Sequence, residues 1–254
     1  MRLFSSINLV ACVLVAISGP ALGASRSAHE DCDADDPDRN IAGCTRIIED
    51  ADEGKTMRGV AYVARGLAWQ KKGDLDRALA DYTAAIKINP KDALAYNNRG
   101  MLWRERGDSD RAIADFTAAI AMNPLPHFVD GYEARAEAFL AKTDPEHAIA
   151  DLDQAIGHDP NRARDYFLRG SIRYDRYMGF LGGGWIEKED LERAIADFAD
   201  AIRLDDKSAA AHYARGLAEN TNGHRDRAAL DLAEAVRLDP ENQQFAAALK
   251  EIKP

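Results

Sequence analysis

Positive charge is scarce in this 254-residue chain. Its 33 Lys and Arg residues are outnumbered by 43 Asp and Glu residues, which gives a formal net charge of -10 and a pI near 5.1. Proteins that bind DNA or RNA usually carry a basic face, so this balance argues against a nucleic-acid partner.

Recognisable catalytic and metal-binding motifs are also lacking. The six histidines are scattered, and none is paired with another at a spacing typical of metal ligands. Gly182 to Gly184 lack the spacing and the following Lys-Ser/Thr of a nucleotide-binding loop. The Ser and Cys residues stand outside any nucleophile motif. We therefore expect no catalytic residues, no metal site and no cofactor.

Apolar residues form one continuous run, at the N-terminus. Arg2 precedes the run, Ile7 to Ile17 form it with Asn8 as the exception, and small residues follow at 21–24. This pattern predicts a secretory signal peptide over residues 1–24, and hence a periplasmic or secreted mature protein. The run is short for a membrane anchor of about 20 residues. It also continues past Cys12, where the signal of a lipoprotein would end.

Only three cysteines occur, and Cys12 lies in the predicted signal peptide. Cys32 and Cys44 would enter an oxidising compartment, where disulfides persist. Without an adjacent His or a further Cys they fall short of a tetrahedral metal site, and a redox motif would need Cys-x-x-Cys spacing. We expect these two residues to form a structural disulfide.

What the chain does contain is a repeat. Five times, a Tyr or His is followed after three residues by Arg, then by Gly or Ala, and later by Ala. These lines are Tyr62-Arg65-Gly66-Ala78, Tyr96-Arg99-Gly100-Ala112, Tyr132-Arg135-Ala136-Ala148, Tyr166-Arg169-Gly170-Ala194 and His212-Arg215-Gly216-Ala228. The units start at Gly59, Ala93, Val129, Ala163 and Ala209, at spacings of 34, 36, 34 and 46 residues. A period near 34 predicts a helix–turn–helix solenoid.

Each unit is predicted to form two helices. In the first unit, Tyr62, Gly66 and Trp69 recur on one helical face, and Gly73-Asp74 ends that helix and caps the next. The second helix ends at Asn89-Pro90, because the residue before a proline is driven out of the α region. We expect the small residues to let the two helices meet closely, while an aromatic or Leu residue fills the space beside them.

An Arg of each first helix is matched by an Asp of each second helix. The pairs are Arg65 with Asp81, Arg99 with Asp115, Arg135 with Asp151, Arg169 with Asp197, and Arg215 with Asp231. An ion pair repeated at the structural period indicates a scaffold role. We expect exposed pairs, each worth well under about 1 kcal/mol. Four of these Asp residues also have an Arg four positions earlier in the same helix, which makes the two side chains neighbours on the helix surface. These arginines are Arg77, Arg111, Arg193 and Arg227.

The flanking segments are predicted to cap the repeats. Residues 25–36 are polar and acidic and are expected to form an irregular arm, while the segment after Pro37 aligns with a second helix and makes a half-repeat. The predicted boundaries are 25–58 for the stapled arm and half-repeat, 59–92, 93–128, 129–162, 163–208 and 209–240 for the repeats, and 241–254 for a C-terminal capping helix.

From Gly59 to about Pro240 the chain resembles the tetratricopeptide repeat proteins, and with its N-terminal half-repeat it is similar to exported members from Gram-negative bacteria. The resemblance implies an all-α, right-handed helical solenoid of about five repeats whose first helices line a groove. It also implies a non-catalytic scaffold or adaptor that binds a protein or peptide, here expected to be an envelope protein.

Groove residues carry over from the family by position. The candidate partner contacts are Asn97, Met101, Arg104, Glu133, Glu137, Arg164, Phe167, Tyr174 and Tyr213. The groove positions are apolar at the N-terminal end, where Val60 and Leu94 stand, acidic in the middle and aromatic near the fourth unit. This mixture suits a segment with apolar anchors and a basic residue or two. Partial filling of the groove by the chain's own C-terminal helix is the alternative.

The fourth unit departs from the period. Residues at about 176–187 are inserted between its helices, and its first helix is expected to run past Tyr174. The candidate loop contacts are Tyr177, Phe180, Leu181, Trp185 and Ile186. Exposed aromatic clusters often mark interaction sites. Three roles stay open for the loop: partner binding, packing against the solenoid, and contact with a membrane surface.

Two other functions compete with the scaffold. Glu133 and Glu137 lie four residues apart on one helical face, and paired carboxylates can carry out acid–base chemistry, as a peptidoglycan-acting helical-repeat enzyme would require. A self-associating structural protein of the envelope is the other alternative. The sequence leaves the oligomeric state open.

Overall fold

The protein is all-α throughout the part that its computed structural model describes, residues 26–122, 129–180 and 188–252. The predicted signal peptide lies outside these ranges. The helices in them are α1 (Arg26–Cys32), α2 (Pro37–Glu49), α3 (Lys55–Lys71), α4 (Leu75–Ile88), α5 (Ala93–Glu105), α6 (Ser109–Met122), α7 (Val129–Ala141), α8 (Pro145–His158), α9 (Ala163–Tyr177), α10 (Lys188–Leu204), α11 (Ala209–Thr221), α12 (Arg225–Leu238) and α13 (Gln243–Ile252). None of the described helices has the length and apolar content needed to cross a membrane.

The helices form the predicted hairpins, in which α3, α5, α7, α9 and α11 are the first helices and α4, α6, α8, α10 and α12 the second. Gly73 follows the first helix of the first repeat with φ of 78°, a left-handed conformation that glycine adopts without strain. The amide of Asp74 then donates to the carbonyl of Trp69, and the Asp74 side chain accepts from the amide of Arg77. One dipeptide therefore ends one helix and begins the next. The order of paired helices confirms the predicted solenoid of helical repeats.

The chain divides into two compact units, Met1–Arg99 and Gly100–Pro254. The core of the first includes Cys44, Ile47 and Tyr82, all at most 2% exposed. In the second, the aromatic or Leu position of each repeat is fully buried, with Phe116, Leu152, Phe198 and Leu232 at 0% exposure.

Gly66 shows why the repeat requires a small residue. A Cβ at this position would lie 2.7 Å from Cε1 of Tyr82, closer than carbon atoms can approach. The ring of Tyr82 therefore packs directly on the backbone of α3, as predicted for the small and aromatic positions.

The expectation of an irregular arm over residues 25–36 is wrong for Arg26–Cys32, which form α1. Ala28 and Cys32 of this helix are buried against α2. A Cβ at Gly43 of α2 would lie 2.4 Å from the backbone nitrogen of Cys32, so the two helices meet at a glycine. The Sγ atoms of Cys32 and Cys44 lie 1.96 Å apart across this contact.

In four of the repeats the recurring Arg–Asp pair is largely buried, which corrects the expectation of exposed pairs. Arg65 donates from Nε and Nη2 to the two oxygens of Asp81 at 2.9 and 2.8 Å. Asp81 is only 5% exposed. The same two-pronged contact joins Arg135 to Asp151, Arg169 to Asp197 and Arg215 to Asp231. Each pair fixes a second helix against its first helix inside the hairpin.

In four of the repeats the sequence pattern places an Arg four residues before the Asp of the ion pair, as a neighbour of that Asp on the second helix. In the structure this side chain contacts other residues. Arg77 donates from Nε to Asp74 at 2.5 Å, and its guanidinium lies 3.7 Å from the centre of the Trp69 ring. In the third repeat, His147 lies 2.7 Å from Asp144 and stacks on Phe139. These side chains therefore cover the turn between the two helices and do not support the buried Asp.

Candidate partner-binding surface

The candidate groove residues fall in both units. Asn97 belongs to the first unit and is half-buried. The others lie in the second unit, on a surface that we call the groove face: Met101, Arg104, Glu133, Glu137, Arg164, Phe167, Tyr174 and Tyr213. Met101 is half-buried against the cluster of Phe116 and Ala138, so it serves the core as well as this surface.

Glu133 and Glu137 do lie together on the groove face, but they are not free carboxylates. Nη2 of Arg164 donates to Glu137 at 2.9 Å, and its Nε pairs with Glu133. Arg104 pairs with the other oxygen of Glu137. Nη2 of Arg162, which precedes α9, donates to Glu133 at 2.5 Å. The predicted acidic middle of the groove is therefore a network of alternating charges.

Asp165 is a member of this network that the groove positions do not include. Its side chain is 0% exposed, and neither carboxylate oxygen accepts a hydrogen bond from the described residues. Nε of Arg162 lies 3.0 Å from Oδ2. Burial raises the pKa of Asp165 to about 7; the positive charge of Arg162 opposes this rise, and Glu133 adds to it. The sequence signal was present, because the third position of the other repeats is Ala or Gly.

The aromatic residues of the groove face already contact side chains of neighbouring helices. Phe167 packs against Phe198, with ring centroids 6.0 Å apart. The hydroxyl groups of Tyr174 and Thr221 lie 3.0 Å apart, which connects α9 to α11.

The last helix covers Tyr213. Phe245 of α13 packs on the Tyr213 ring with centroids 4.7 Å apart, and Nε2 of Gln244 donates to the Tyr213 hydroxyl at 3.0 Å. Phe245 is 7% exposed. At this one candidate position, the chain's own C-terminal helix occupies the face, as the alternative in the sequence analysis anticipated.

The insertion of the fourth repeat begins on an extended helix. The first helix runs past Tyr174, as predicted, and Tyr177 is its last residue, half-buried beside Leu191 and Phe198. Tyr177 is therefore part of the packed hairpin, unlike the loop residue that we expected. Phe180 follows with 72% of its surface exposed. Leu181, Trp185 and Ile186 lie outside the described residues.

Arg176 and Asp190, near the ends of α9 and α10, form a pair that sequence reasoning missed. Nε of Arg176 donates to Oδ2 of Asp190 at 2.7 Å, and Nη2 pairs with Oδ1. Asp190 is 3% exposed and stands four residues before Ala194, where the first repeat has its cap Asp74. Only a longer α10, beginning at Lys188, brings this carboxylate inside the helix.

No group of His, Cys, Asp and Glu residues in the described ranges has the arrangement of a metal site. On the groove face, each of Glu133 and Glu137 is held by two guanidinium groups. What this surface offers chemically is a set of charged and half-buried apolar groups for non-covalent contacts.

Comparison with known proteins agrees with the repeat architecture. The Tetratricopeptide repeat family model matches residues 63–126 and 186–249, together just over half of the chain. No curated protein matches the sequence.

Three solved structures illustrate the similarity. YrrB, described as a TPR protein with an unusual peptide-binding site, is 21% identical with a TM-score of 0.61, over 76% of this chain and 92% of YrrB. MamA from Desulfovibrio magneticus RS-1 is 19% identical with a TM-score of 0.62, over 73% and 97% of the two chains. PilF from Pseudomonas aeruginosa is 14% identical with a TM-score of 0.66, over 85% and 90%. Such low identities show the fold alone, but together with the family match they establish that the chain belongs to the tetratricopeptide repeat family.

Proposed function

We propose that this protein is a non-catalytic scaffold of the bacterial periplasm that binds a segment of an envelope protein on the helix faces of its repeats. Tetratricopeptide repeat proteins as a class serve protein–protein interaction, and the similar YrrB structure is described as having a peptide-binding site. The identity of the partner is not encoded in the fold, because one solenoid supports many ligands.

The observation that carries the proposal is a pair of exposed apolar residues at one repeat position. Val60 and Leu94 are the second residues of the first two repeats, and they are 45% and 44% exposed. The repeats fill their cores with other positions, so the fold does not require apolar side chains here. Exposed apolar groups that recur at a groove position favour contact with an apolar anchor of a bound segment.

The proposed location rests on two features of the N-terminal region. Residues 1–24 have the pattern of a cleaved signal peptide. Cys32 and Cys44 lie at bonding distance between α1 and α2, and a disulfide persists in an oxidising compartment. A signal-peptide cleavage assay, with N-terminal sequencing of the exported protein, tests the location directly.

A peptidoglycan-acting enzyme is less well supported than a scaffold. Glu133 and Glu137 are each paired with two guanidinium groups, whereas a catalytic acid or base must be able to reach the reacting atoms of its substrate. Incubation of the purified protein with peptidoglycan separates the two functions, since release of soluble fragments would favour the enzyme.

Binding of the purified protein to an array of immobilised random 15-residue peptides tests the scaffold. We expect Val60→Ser combined with Leu94→Ser to reduce binding to peptides with apolar anchors at least fivefold. Leu230→Ser is the matched control, because Leu230 is 73% exposed on a second helix, α12. Equal binding by the double variant and the wild type would contradict the proposal, as would equal losses in the double variant and the control.

The insertion of the fourth repeat is tested in the same assay. Phe180→Ala combined with Trp185→Ala should weaken binding without lowering thermal stability if these residues contact the partner. A large loss of stability would instead favour packing of the insertion against the solenoid. Binding to lipid vesicles that the double variant loses would favour the membrane-surface alternative.

A further inference from the structure

The last turn of α9 carries a carboxylate without a partner. Asp175 is half-buried, and no hydrogen bond or ion pair joins its side chain to another described residue. Burial raises the pKa of Asp175, and no neighbouring cation among the described residues opposes this rise. By contrast, the buried Asp190 and Asp197 of α10 are each held by guanidinium groups. An unpaired carboxylate at this depth needs an explanation beyond packing.

The charge of Asp175 is also unfavourable for its own helix. Because α9 ends at Tyr177, Asp175 lies in the last turn, where the carbonyl groups form the negative end of the helix dipole. Arg176 does not compensate, since its guanidinium is paired with Asp190 and Glu146. Residues that break a local rule without a packing gain often serve a function.

The turn after α9 brings Phe180, an exposed aromatic residue, next to Asp175. Gly179 has φ of 77°, and its amide donates to the carbonyl of Arg176 at 3.0 Å. The amide of Phe180 then donates to the carbonyl of Asp175 at 2.9 Å. In this motif the residue after the glycine usually packs on an apolar side chain at the position that Asp175 holds. Here that position is acidic, and Phe180 remains 72% exposed.

The other repeats show what this position normally receives. In the first three repeats, the residue whose carbonyl accepts this last hydrogen bond is aromatic and is covered by a basic residue or a His of the second helix. These pairs are Trp69 with Arg77, Trp103 with Arg111, and Phe139 with His147. In the fifth repeat it is Glu219, which pairs with His224 and Arg227. In the fourth repeat, the corresponding Arg193 pairs with Glu189 inside α10, and Asp175 is left without this cover.

Tyr174 adds a second hydrogen-bond acceptor beside Asp175. Thr221 donates its one hydroxyl proton to the carbonyl of Leu217 at 2.9 Å. Tyr174 is therefore the donor in the 3.0 Å contact between the two hydroxyl groups, and its oxygen can accept from a ligand. Burial is the main cause that raises the pKa of Tyr174, and the nearby charge of Asp175 adds to it. These two neighbours call for a ligand that donates hydrogen bonds and carries positive charge.

Asp175 lies on the same side of α9 as the residues of the groove face. It follows Arg164 by eleven residues, close to three helical turns, so the two positions share one stripe of the helix. They are about 16 Å apart along the helix axis. Arg164 is engaged by Glu133 and Glu137, and Asp175 is open to a ligand.

We infer that Asp175, Tyr174 and Phe180 form a subsite for one lysine or arginine side chain of the bound segment. The inference rests on the proposed scaffold function and specifies its partner: the segment carries a basic residue. Lysine and arginine both have an apolar stem that can cover Phe180 and a cationic head that donates to Asp175 and Tyr174. The incoming cation takes the place that a side chain of the second helix fills in the other repeats.

Nuclear magnetic resonance on the ¹⁵N-labelled full chain tests the subsite with two small probes. N-acetyl-lysine methylamide should shift amide signals at the end of α9 and in α11. The same molecule with an acetylated, neutral side chain should not. Asp175→Asn should weaken binding of the lysine probe at least fivefold, whereas Asp200→Asn, which changes an exposed carboxylate of α10, should leave it unchanged.

Two variants of the hydroxyl pair test the contribution of Tyr174. Tyr174→Phe removes the accepting oxygen and should weaken binding of the lysine probe at least twofold. Thr221→Val is the matched control, because it breaks the same contact between α9 and α11 but keeps the Tyr174 oxygen. It should retain binding.

Asp175→Leu gives two opposite readouts. Leu restores an apolar side chain beside Phe180 and removes the charge from the helix end, so the melting temperature should rise by about 2 °C. The same variant should lose binding of the lysine probe. A carboxylate that served only the fold would give a lower melting temperature when replaced.

The outcomes separate this inference from the proposed function. Equal shifts by the two probes, an unchanged affinity in Asp175→Asn, equal losses in Tyr174→Phe and Thr221→Val, or a lower melting temperature in Asp175→Leu would each overturn the subsite. Binding to phosphatidylethanolamine vesicles that Asp175→Asn abolishes would also overturn it, because the cation would then belong to a lipid. The peptide array tests the scaffold independently: an array without binders overturns the scaffold, whereas binders with no preference for basic residues overturn the subsite alone.

Discussion

Arg176 donates from its Nε to Oδ2 of Asp190 at 2.7 Å, and this contact ties the end of α9 to the start of α10. In the first repeat the corresponding carboxylate, Asp74, caps the second helix by accepting from the amide of Arg77. In the fourth repeat, α10 begins at Lys188, so Asp190 lies inside the helix and accepts from a side chain. The longer hairpin has replaced a helix cap by a buried ion pair.

We predict that Arg176→Met destabilises the fold by about 3 kcal/mol, because it leaves the nearly buried Asp190 without its partner. Adding Asp190→Asn should recover part of this loss, since the remaining buried charge is removed. Urea unfolding measures both effects. Arg203→Met, which removes an exposed arginine, is the control and should change stability by less than about 0.5 kcal/mol. Equal effects of Arg176→Met and Arg203→Met would contradict the prediction.

Asp165 should make stability depend on pH. Its pKa is about 7 in the folded protein and about 3.9 in an unfolded chain. The contribution of Asp165 to the free energy of unfolding is therefore most favourable below about pH 4 and is lost as the pH rises towards 7. At pH 8, Asp165→Asn should be more stable than the wild type by on the order of 2–4 kcal/mol.

Urea unfolding at pH 4, 6 and 8 measures this effect of Asp165. The difference between wild type and Asp165→Asn should grow with pH, whereas Asp200→Asn should follow the wild type at every pH. A constant difference across the range would show that Asp165 ionises normally.

The glycine at the closest helix approach should not tolerate a methyl group. Gly66→Ala places a Cβ 2.7 Å from the Tyr82 ring, and we expect a loss of about 1–3 kcal/mol from overpacking. Gly157→Ala in α8 is the matched control, because no atom lies within 4 Å of its added Cβ. There the better helix propensity of Ala should raise stability by about 0.5–1 kcal/mol. Thermal melts that show losses of similar size in both variants would contradict this account.

Reduction of the Cys32–Cys44 disulfide should loosen the packing of α1 against α2. Cys32 and Cys44 are 12 residues apart in the sequence, and a disulfide closing such a loop stabilises by about 3 kcal/mol in the chain-entropy description. A reductant, or Cys32→Ser with Cys44→Ser, should therefore speed hydrogen exchange in α1 and α2. Exchange in α11 and α12 provides the internal control and should stay unchanged, since their hairpin packs through its own contacts.

Much of the fold is predictable because the repeat is written in local patterns. Gly73-Asp74 ends one helix and begins the next through backbone hydrogen bonds within a few residues, and these depend little on the rest of the chain. The exception is α1, which the acidic composition concealed. This helix is packed against Gly43, a contact between segments that no periodicity of either segment records.

The candidate surface is less predictable than the fold. Position in the repeat does bring Glu133, Glu137 and Arg164 together on the groove face. The same reasoning treats Tyr213 as a partner contact, although Phe245 of α13 packs on it. Where the last helix lies depends on packing against α11 and α12, which the sequence pattern of α13 alone does not define.

The sequence by itself determined the helical-repeat fold, the helix ends and the positions of the repeat cores, because short-range hydrogen bonding and side-chain size decide these. Only the tertiary structure decided which charges are buried and which are paired. It places Asp81 and Asp190 against guanidinium groups, and it buries Asp165 completely beside the guanidinium group of Arg162. The free energy of a buried charge depends on neighbours from other helices, and this information exists only once the helices have packed.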